Sequence, residues 1–230
     1  MRATSIIGLA ALVATLATVG VGAEEGATYA ALQVAFQREL DARLCYLSFA
    51  ARAEREGRQA TACLFRAIAT AESIHAIRFR MLIEQSGGVA RWRPRKPVVG
   101  TTRDNLRAAI GAERRENLAV YPRFADYARP EFLYEPLAWF NYVRGAEATH
   151  ARMFSAALER LEASGPDLPL TILVTAGPLA TAPASAPPET HRDCHLCLDD
   201  GSAFAAPVKR CPNCNAGRGR FATFLCTGPP

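Results

Sequence analysis

Between positions 27 and 163 the apolar residues recur at three- and four-residue intervals, the spacing that puts a hydrophobic stripe on one side of an α-helix. "ATYAALQVAFQRELDARLCYLSFAARAERE" (27–56) carries the first stripe, and Gly57 supplies its stop. A second helix is predicted over 59–85, ending before Gly87 and Gly88. The connection that follows contains Pro94 and Pro97, which exclude helix interior there. Thr101 or Thr102 caps a third helix reaching about Ala128, with a kink or local break expected at Pro122. The fourth covers about 131–163, Pro136 being tolerable only near its start. Short, longer and short connections between four long helices predict an all-α four-helix bundle with one crossover connection.

The pattern changes after 163. Residues 164–190 are rich in Pro, Ala, Thr and Ser and read as a linker, with an apolar patch "LPLTILV" that suits either a short strand or packing on the bundle. Residues 191–226 are too few to bury a self-sufficient core, so a bound metal is expected to hold them. Four of the seven cysteines lie there, as "CHLC" (194–197) and "CPNC" (211–214), and this pairing points to metal before disulfide. Cys45 and Cys63 sit in helical stretches as small buried hydrophobes, and Cys226 has no evident partner. At the other end, residues 1–23 combine Arg2, an uncharged apolar run and small residues before Glu24. They read as a signal peptide or an N-terminal membrane anchor, which predicts an exported protein, periplasmic or on the outer face of the membrane; otherwise it is cytoplasmic. No twin-Arg pair precedes the run, so metal acquisition is expected outside the membrane. The net charge of +5 comes from dispersed Arg, and the densest basic stretch, "RWRPRKP" (91–97), reads as a solvated loop. Nucleic acid is not an expected partner.

Two helical stretches contain the same phrase, "AESIHA" at 71–76 and "AEATHA" at 146–151. The frame repeats with it: Phe65, Glu72, His75 and Phe79, then Phe140, Glu147, His150 and Phe154. Glu and His three apart share a helix face. The first and third helices supply Glu39, and Glu113 with Glu116. Glu39 precedes Glu72 by 33 residues and Glu113 precedes Glu147 by 34, so the chain reads as a duplicated helix pair with acidic groups at matching levels. Like charges about 6 Å apart at an effective dielectric near 20 cost roughly 2–3 kcal/mol per pair. Five converging carboxylates would consume the roughly 5–15 kcal/mol by which a domain is normally stable, unless cations neutralise them. Two divalent ions nearly balance the site, and oxygen-rich ligation with one imidazole per ion suits iron or manganese.

These residues carry a resemblance to the rubrerythrin family. The motifs are Glu39 with Tyr46, "AEREG" (53–57), "LFRAIATAESIHAIRF" (64–79), "NLRAAIGAERRE" (105–116), "YPRFADYA" (121–128), "AEATHARMF" (146–154) and the two Cys pairs. The resemblance implies a ferritin-like bundle with a di-iron centre, fused to a small C-terminal rubredoxin-like metal-knuckle domain. It assigns metal ligation to Glu39, Glu72, His75, Glu113, Glu116, Glu147 and His150, places Tyr46 and Tyr121 beside the metals, and makes His75 and Glu116 the pair that exchange on oxidation. One further iron, or zinc, is expected on Cys194, Cys197, Cys211 and Cys214. The implied activity is a peroxidase that reduces hydrogen peroxide with electrons from a donor protein. The alternative is iron binding, ferroxidase action or iron storage without a peroxidase cycle. A homodimer is implied as well, with one chain's Cys domain beside another's bundle. Leu198 and Asn215 follow the two Cys pairs where the knuckle needs left-handed backbone, which Asn tolerates and Leu does not adopt cheaply.

Overall fold

The structure, a computed structural model, describes residues 26–164, 193–205 and 207–225. The predicted signal or anchor (1–23), almost all of the predicted linker and Cys226 lie outside them. Helix α1 spans Ala27–Arg55 and α2 spans Gln59–Gln85. Gly57 and Gly87, at φ 74° and 79°, take the left-handed conformation that closes each helix. Helix α3, Thr102–Arg115, opens on a capping box in which Thr101 and Asp104 satisfy each other's backbone N–H groups.

The expected break at Pro122 takes the form of a π-helical turn, Glu116–Val120, before α4, Tyr121–Ala128. Proline lacks the N–H that an α-helix interior requires, and a wider turn just before it removes that demand. Helix α5 runs Tyr134–Ser164, beginning later than expected because 129–133 form a turn in which Phe132 is left-handed. The fourth helix therefore starts two residues before Pro136, where proline is tolerated.

The crossover between α2 and α3 is strapped along α1. Gln33, Gln37 and Asp41, at i, i+4 and i+8, form one polar row. Gln33 Nε2 donates to the Val89 carbonyl at 2.8 Å, Gln37 exchanges two 2.8 Å bonds with the Arg93 backbone, and Asp41 accepts from Trp92 Nε1 at 3.0 Å and pairs with Arg95. The basic stretch is thereby a docked connection.

Two apolar clusters fill the bundle. One contains Tyr46, Phe49, Phe65, Leu106 and Phe154; the other contains Leu32, Phe36, Phe79, Tyr121, Phe124 and Phe140. Between them lies a polar layer of Glu39, Glu72, His75, Glu113, Glu116, Glu147 and His150, every one buried. The small domain is a three-stranded antiparallel sheet in the order β2-β1-β3, with β1 Asp193–Cys197, β2 Ala203–Phe204 and β3 Phe221–Leu225.

Two expectations are corrected. Among the described residues no helix is long and apolar enough to cross a membrane, so the expected membrane anchor is withdrawn. The small domain, expected beside a second chain's bundle, packs on its own: Cys194, Leu196 and Ala203 join the same apolar cluster as Phe65 and Phe154.

Candidate metal centres

Each helix contributes to the polar layer at the level that the duplicated spacing predicts. Glu72 and His75 on α2, and Glu147 and His150 on α5, project inward one turn apart. His75 Nδ1 lies 2.9 Å from Glu72, 3.3 Å from Glu39 and 3.3 Å from Glu147. His150 Nδ1 lies 2.8 Å from Glu147, 3.3 Å from Glu72 and 3.6 Å from Glu113. Two four-residue sets result, Glu39–Glu72–His75–Glu147 and Glu72–Glu113–Glu147–His150, with one donor atom per residue mutually within 4.8 Å. Glu72 and Glu147 belong to both. Two carboxylates shared by two sites, each completed by its own Glu and His, is the geometry of bridging ligands between paired ions.

The far nitrogens of the imidazoles are held by backbone carbonyls. His75 Nε2 is 2.9 Å from the Asp200 carbonyl and His150 Nε2 is 3.0 Å from the Gly201 carbonyl. A carbonyl only accepts, so each Nε2 carries a hydrogen, and each Nδ1, directed at the carboxylates, is the nitrogen that a bound ion would take. Glu72 Oε1, Glu113 Oε2, both Glu147 oxygens and His150 Nδ1 have no hydrogen-bond partner although buried. Orphaned acceptors of this kind are costly without a cation, and the donor set therefore fits a metal pair.

Ion-free electrostatics report the same strain. Burial and the surrounding carboxylates hold the Glu39 and Glu113 carboxyls well above the usual range. Burial also opposes charge on His75 and His150, but the facing carboxylates win and raise both imidazoles. Glu147 is lowered because its two histidines outweigh its desolvation. Outside the two sets sits Glu116, at the start of the π turn. Burial and Glu147 push its carboxyl up to about 8, against the opposing pull of Arg38, which holds it in an ion pair. Tyr46 donates its hydroxyl to Glu113 and Tyr121 donates to Glu39, so each tyrosine steadies the carboxylate that belongs to one set alone.

Residues 30–158 match the rubrerythrin family profile, more than half of the chain. The chain belongs to the rubrerythrin family. It is 37% identical over 133 residues to rubrerythrin of Porphyromonas gingivalis, covering 57% of this chain and 66% of that protein. It is 35% identical over 132 residues to rubrerythrin-2 of Clostridium acetobutylicum, covering 55% and 69%, respectively. Among solved structures, nigerythrin in a mixed-valence state superimposes with a TM-score of 0.70 at 25% identity, over 86% of this chain and 87% of the other. The chain thus spans about two thirds of the length of the curated relatives it matches, whereas the structural likeness extends through both domains.

The rubrerythrin-type small domain gathers a different set from the expected one. Cys197, Asp200, Cys211 and Cys214 bring one ligand atom each within 4.8 Å of the others. Cys194 is absent from the group. It lies on β1 opposite Phe224, fully buried in the apolar cluster shared with the bundle, and burial pushes its thiol up to about 12. In an extended strand residues three apart face opposite sides, so Cys194 and Cys197 diverge. The turn expected at Leu198 falls at Gly201, φ 75°, and the second falls as expected at Asn215, φ 64°. The sequence held this signal: Asp200 and Gly201 follow Cys197 at the intervals by which Cys214 and Asn215 follow Cys211. Cys63, expected to be a small buried hydrophobe, is disulfide-bonded. Cys45 is a free thiol packed beside the core, as expected.

Proposed function

We propose that this protein is a non-haem di-iron peroxidase that reduces hydrogen peroxide to water, with electrons entering through the small-domain metal from a donor protein. The observation that carries it is the pair of buried sets sharing Glu72 and Glu147, each with an inward-facing imidazole nitrogen. A bound iron pair supplies the two electrons that convert one peroxide to two waters. Glu39, Glu72, His75, Glu113, Glu147 and His150 would hold the pair. Tyr46 and Tyr121 orient Glu113 and Glu39 through their hydroxyls. Glu116 lies outside both sets beside the site, against Arg38, and its carboxyl is raised to about 8 in the ion-free protein. It would serve as an acid for the oxygens that leave as water, and by the family resemblance it would be the residue that exchanges with His75 as a ligand when the oxidation state changes. The surrounding apolar clusters exclude bulk water from the polar layer.

Anaerobic titration of the fully reduced protein tests this reading. One peroxide consumed per di-iron centre, followed by turnover when a reductant of the small domain is supplied, is the expected result. Uptake and oxidation of ferrous iron with no peroxide turnover would instead establish the iron-storage alternative.

The same reading places the protein outside the cytoplasmic membrane, with residues 1–23 acting as a cleaved signal peptide. Its support is the Cys63 disulfide, a bond that persists in oxidising compartments. N-terminal sequencing of material from the source cell is expected to begin beyond residue 23. Retention of Met1 in the cytosolic fraction overturns it.

A further inference from the structure

The two metal-bearing turns of the small domain are copies of one another. In the first, the Gly201 N–H donates to the Cys197 carbonyl at 3.0 Å; in the second, the Asn215 N–H donates to the Cys211 carbonyl at 2.8 Å. Each begins on a Cys, presents a potential ligand three residues later, and ends on a left-handed residue. Cys197 is thereby equivalent to Cys211, Gly201 to Asn215, and Asp200 to Cys214. The position that a thiol fills in one turn is filled by a carboxylate in the other.

We propose that the small domain binds its metal through three thiolates and one carboxylate, Cys197, Cys211, Cys214 and Asp200, with Cys194 excluded from the site. Three independent observations meet here. Asp200 is fully buried, its Oδ1 is occupied by the Ser202 N–H at 2.9 Å, and its Oδ2 points into the cluster, 3.2 Å from Cys211 Sγ. Cys197 Sγ and Cys214 Sγ are 3.6 Å apart. A tetrahedral ion with metal–sulfur bonds of about 2.3 Å requires sulfurs roughly 3.8 Å apart, so the opening already has the right size. Backbone N–H groups of Asp199 and Asp200 converge on Cys197, and that of Ala216 on Cys214, the arrangement that stabilises thiolates. Cys194, by contrast, is committed to the apolar face of β1, and bringing it to the ion would require turning the strand over against its β3 partner.

A carboxylate in the fourth place leaves the formal ligand charge at four negatives, as with four thiolates, but replaces a soft donor with a hard one. The same residue offers its backbone carbonyl to His75, and the next offers one to His150. One dipeptide thus serves the small-domain ion with a side chain and the bundle with its backbone.

The proposal rests on the small domain holding a metal, and its test counts sulfur ligands without reference to peroxidase activity. Full-length protein is reconstituted with Co(II), whose near-ultraviolet thiolate charge-transfer absorption scales with the number of bound thiolates; the bundle centre has no sulfur and adds nothing to it. The protein and Cys194→Ala are expected to give equal intensity, and Asp200→Cys to raise it by about one third. Asp200→Ala is expected to weaken Co(II) binding at least about tenfold with the intensity of three thiolates retained at saturation. Far-ultraviolet circular dichroism confirms folding of each variant, with Cys194→Val as a second replacement for the buried thiol. A loss of about one quarter or more of the intensity in a folded Cys194 variant, the share of one thiolate among four, or no change in Asp200→Cys, overturns the donor set. Absence of any thiolate absorption in the unsubstituted protein overturns instead the reading of the small domain as a metal site.

Discussion

At the scale of single residues, the shared carboxylates separate from the rest. Glu72→Ala and Glu147→Ala each remove a donor common to both sets, whereas Glu39→Ala touches only one. Metal analysis of reconstituted protein is expected to show the first two losing about two bundle ions per chain and the third about one. Tyr121→Phe leaves the ring packed on Phe79 but releases Glu39, and is expected to lower bundle-metal affinity or peroxide turnover by about 10–100-fold, read by metal titration and stopped flow. The seven carboxylate and imidazole residues were legible in the sequence because helix geometry converts Glu-x-x-His into a shared face, and duplication supplied the matching levels. The fourth small-domain position was not legible from the Cys pairs alone. Two cysteines three apart suggest a loop, and only the pairing of 194–197 with β3 shows that they occupy a strand and diverge.

At the scale of elements, the π turn is the feature that spacing could not specify. Pro122 marked a break, yet a kink, a loop and a wide turn satisfy proline equally. The wide turn holds Glu113, Glu116 and Tyr121 at the polar layer together. Deleting Leu118, 70% exposed within that turn, is expected to restore ordinary helical winding and leave Tyr121 near its present register, because four residues at the tighter pitch turn the chain about as far as five in the wide turn. Helical dichroism and the Tyr121–Glu39 contact should survive, whereas inserting one residue beside Leu118 should turn Tyr121 away by about 100° and lose bundle metal. Helix α5 carries a second such feature at Gly145. A methyl group there would sit 2.1 Å from Asn213 Oδ1, while Asn213 Nδ2 donates to the Tyr142 carbonyl at 2.7 Å. An interior helical glycine normally costs roughly 0.5–1 kcal/mol relative to alanine, and here it makes the notch that receives the second knuckle. Gly145→Ala should raise the protease sensitivity of the small domain even though it favours the helix. The crossover was equally hidden: its prolines excluded helix, but the row of Gln33, Gln37 and Asp41 that binds it reads as an ordinary solvated face.

At the scale of the whole molecule, the ion-free protein has a defined pH response. Glu116 is raised to about 8, Glu39 and Glu113 are raised as well, and both histidines are raised. The folded chain therefore binds more protons than the unfolded chain from about pH 4.5 upward, and stability falls as pH rises toward about 8. Glu72 and Glu147 are lowered and act in the opposite sense, removing stability as pH falls below their unfolded value of 4.5. Metal-stripped protein should thus show a declining melting temperature between about pH 5 and 8 in calorimetry, and metal loading should release protons and abolish the decline. Gly201→Ala probes the link between the two domains. Its added carbon would stand 2.3 Å from His75 Nε2 on left-handed backbone, so the turn or the imidazole must move. Weakened metal binding in both domains from this one methyl is the expected outcome, checked by titrating each site.

The carbonyls that secure the imidazoles come from the same polypeptide as the imidazoles themselves. Closure of the roof over the centre is consequently a unimolecular event whose equilibrium is indifferent to dilution. A preparation diluted a thousandfold should keep its specific activity per chain, whereas any arrangement that borrowed its roof from a neighbour would fade as molecules drew apart.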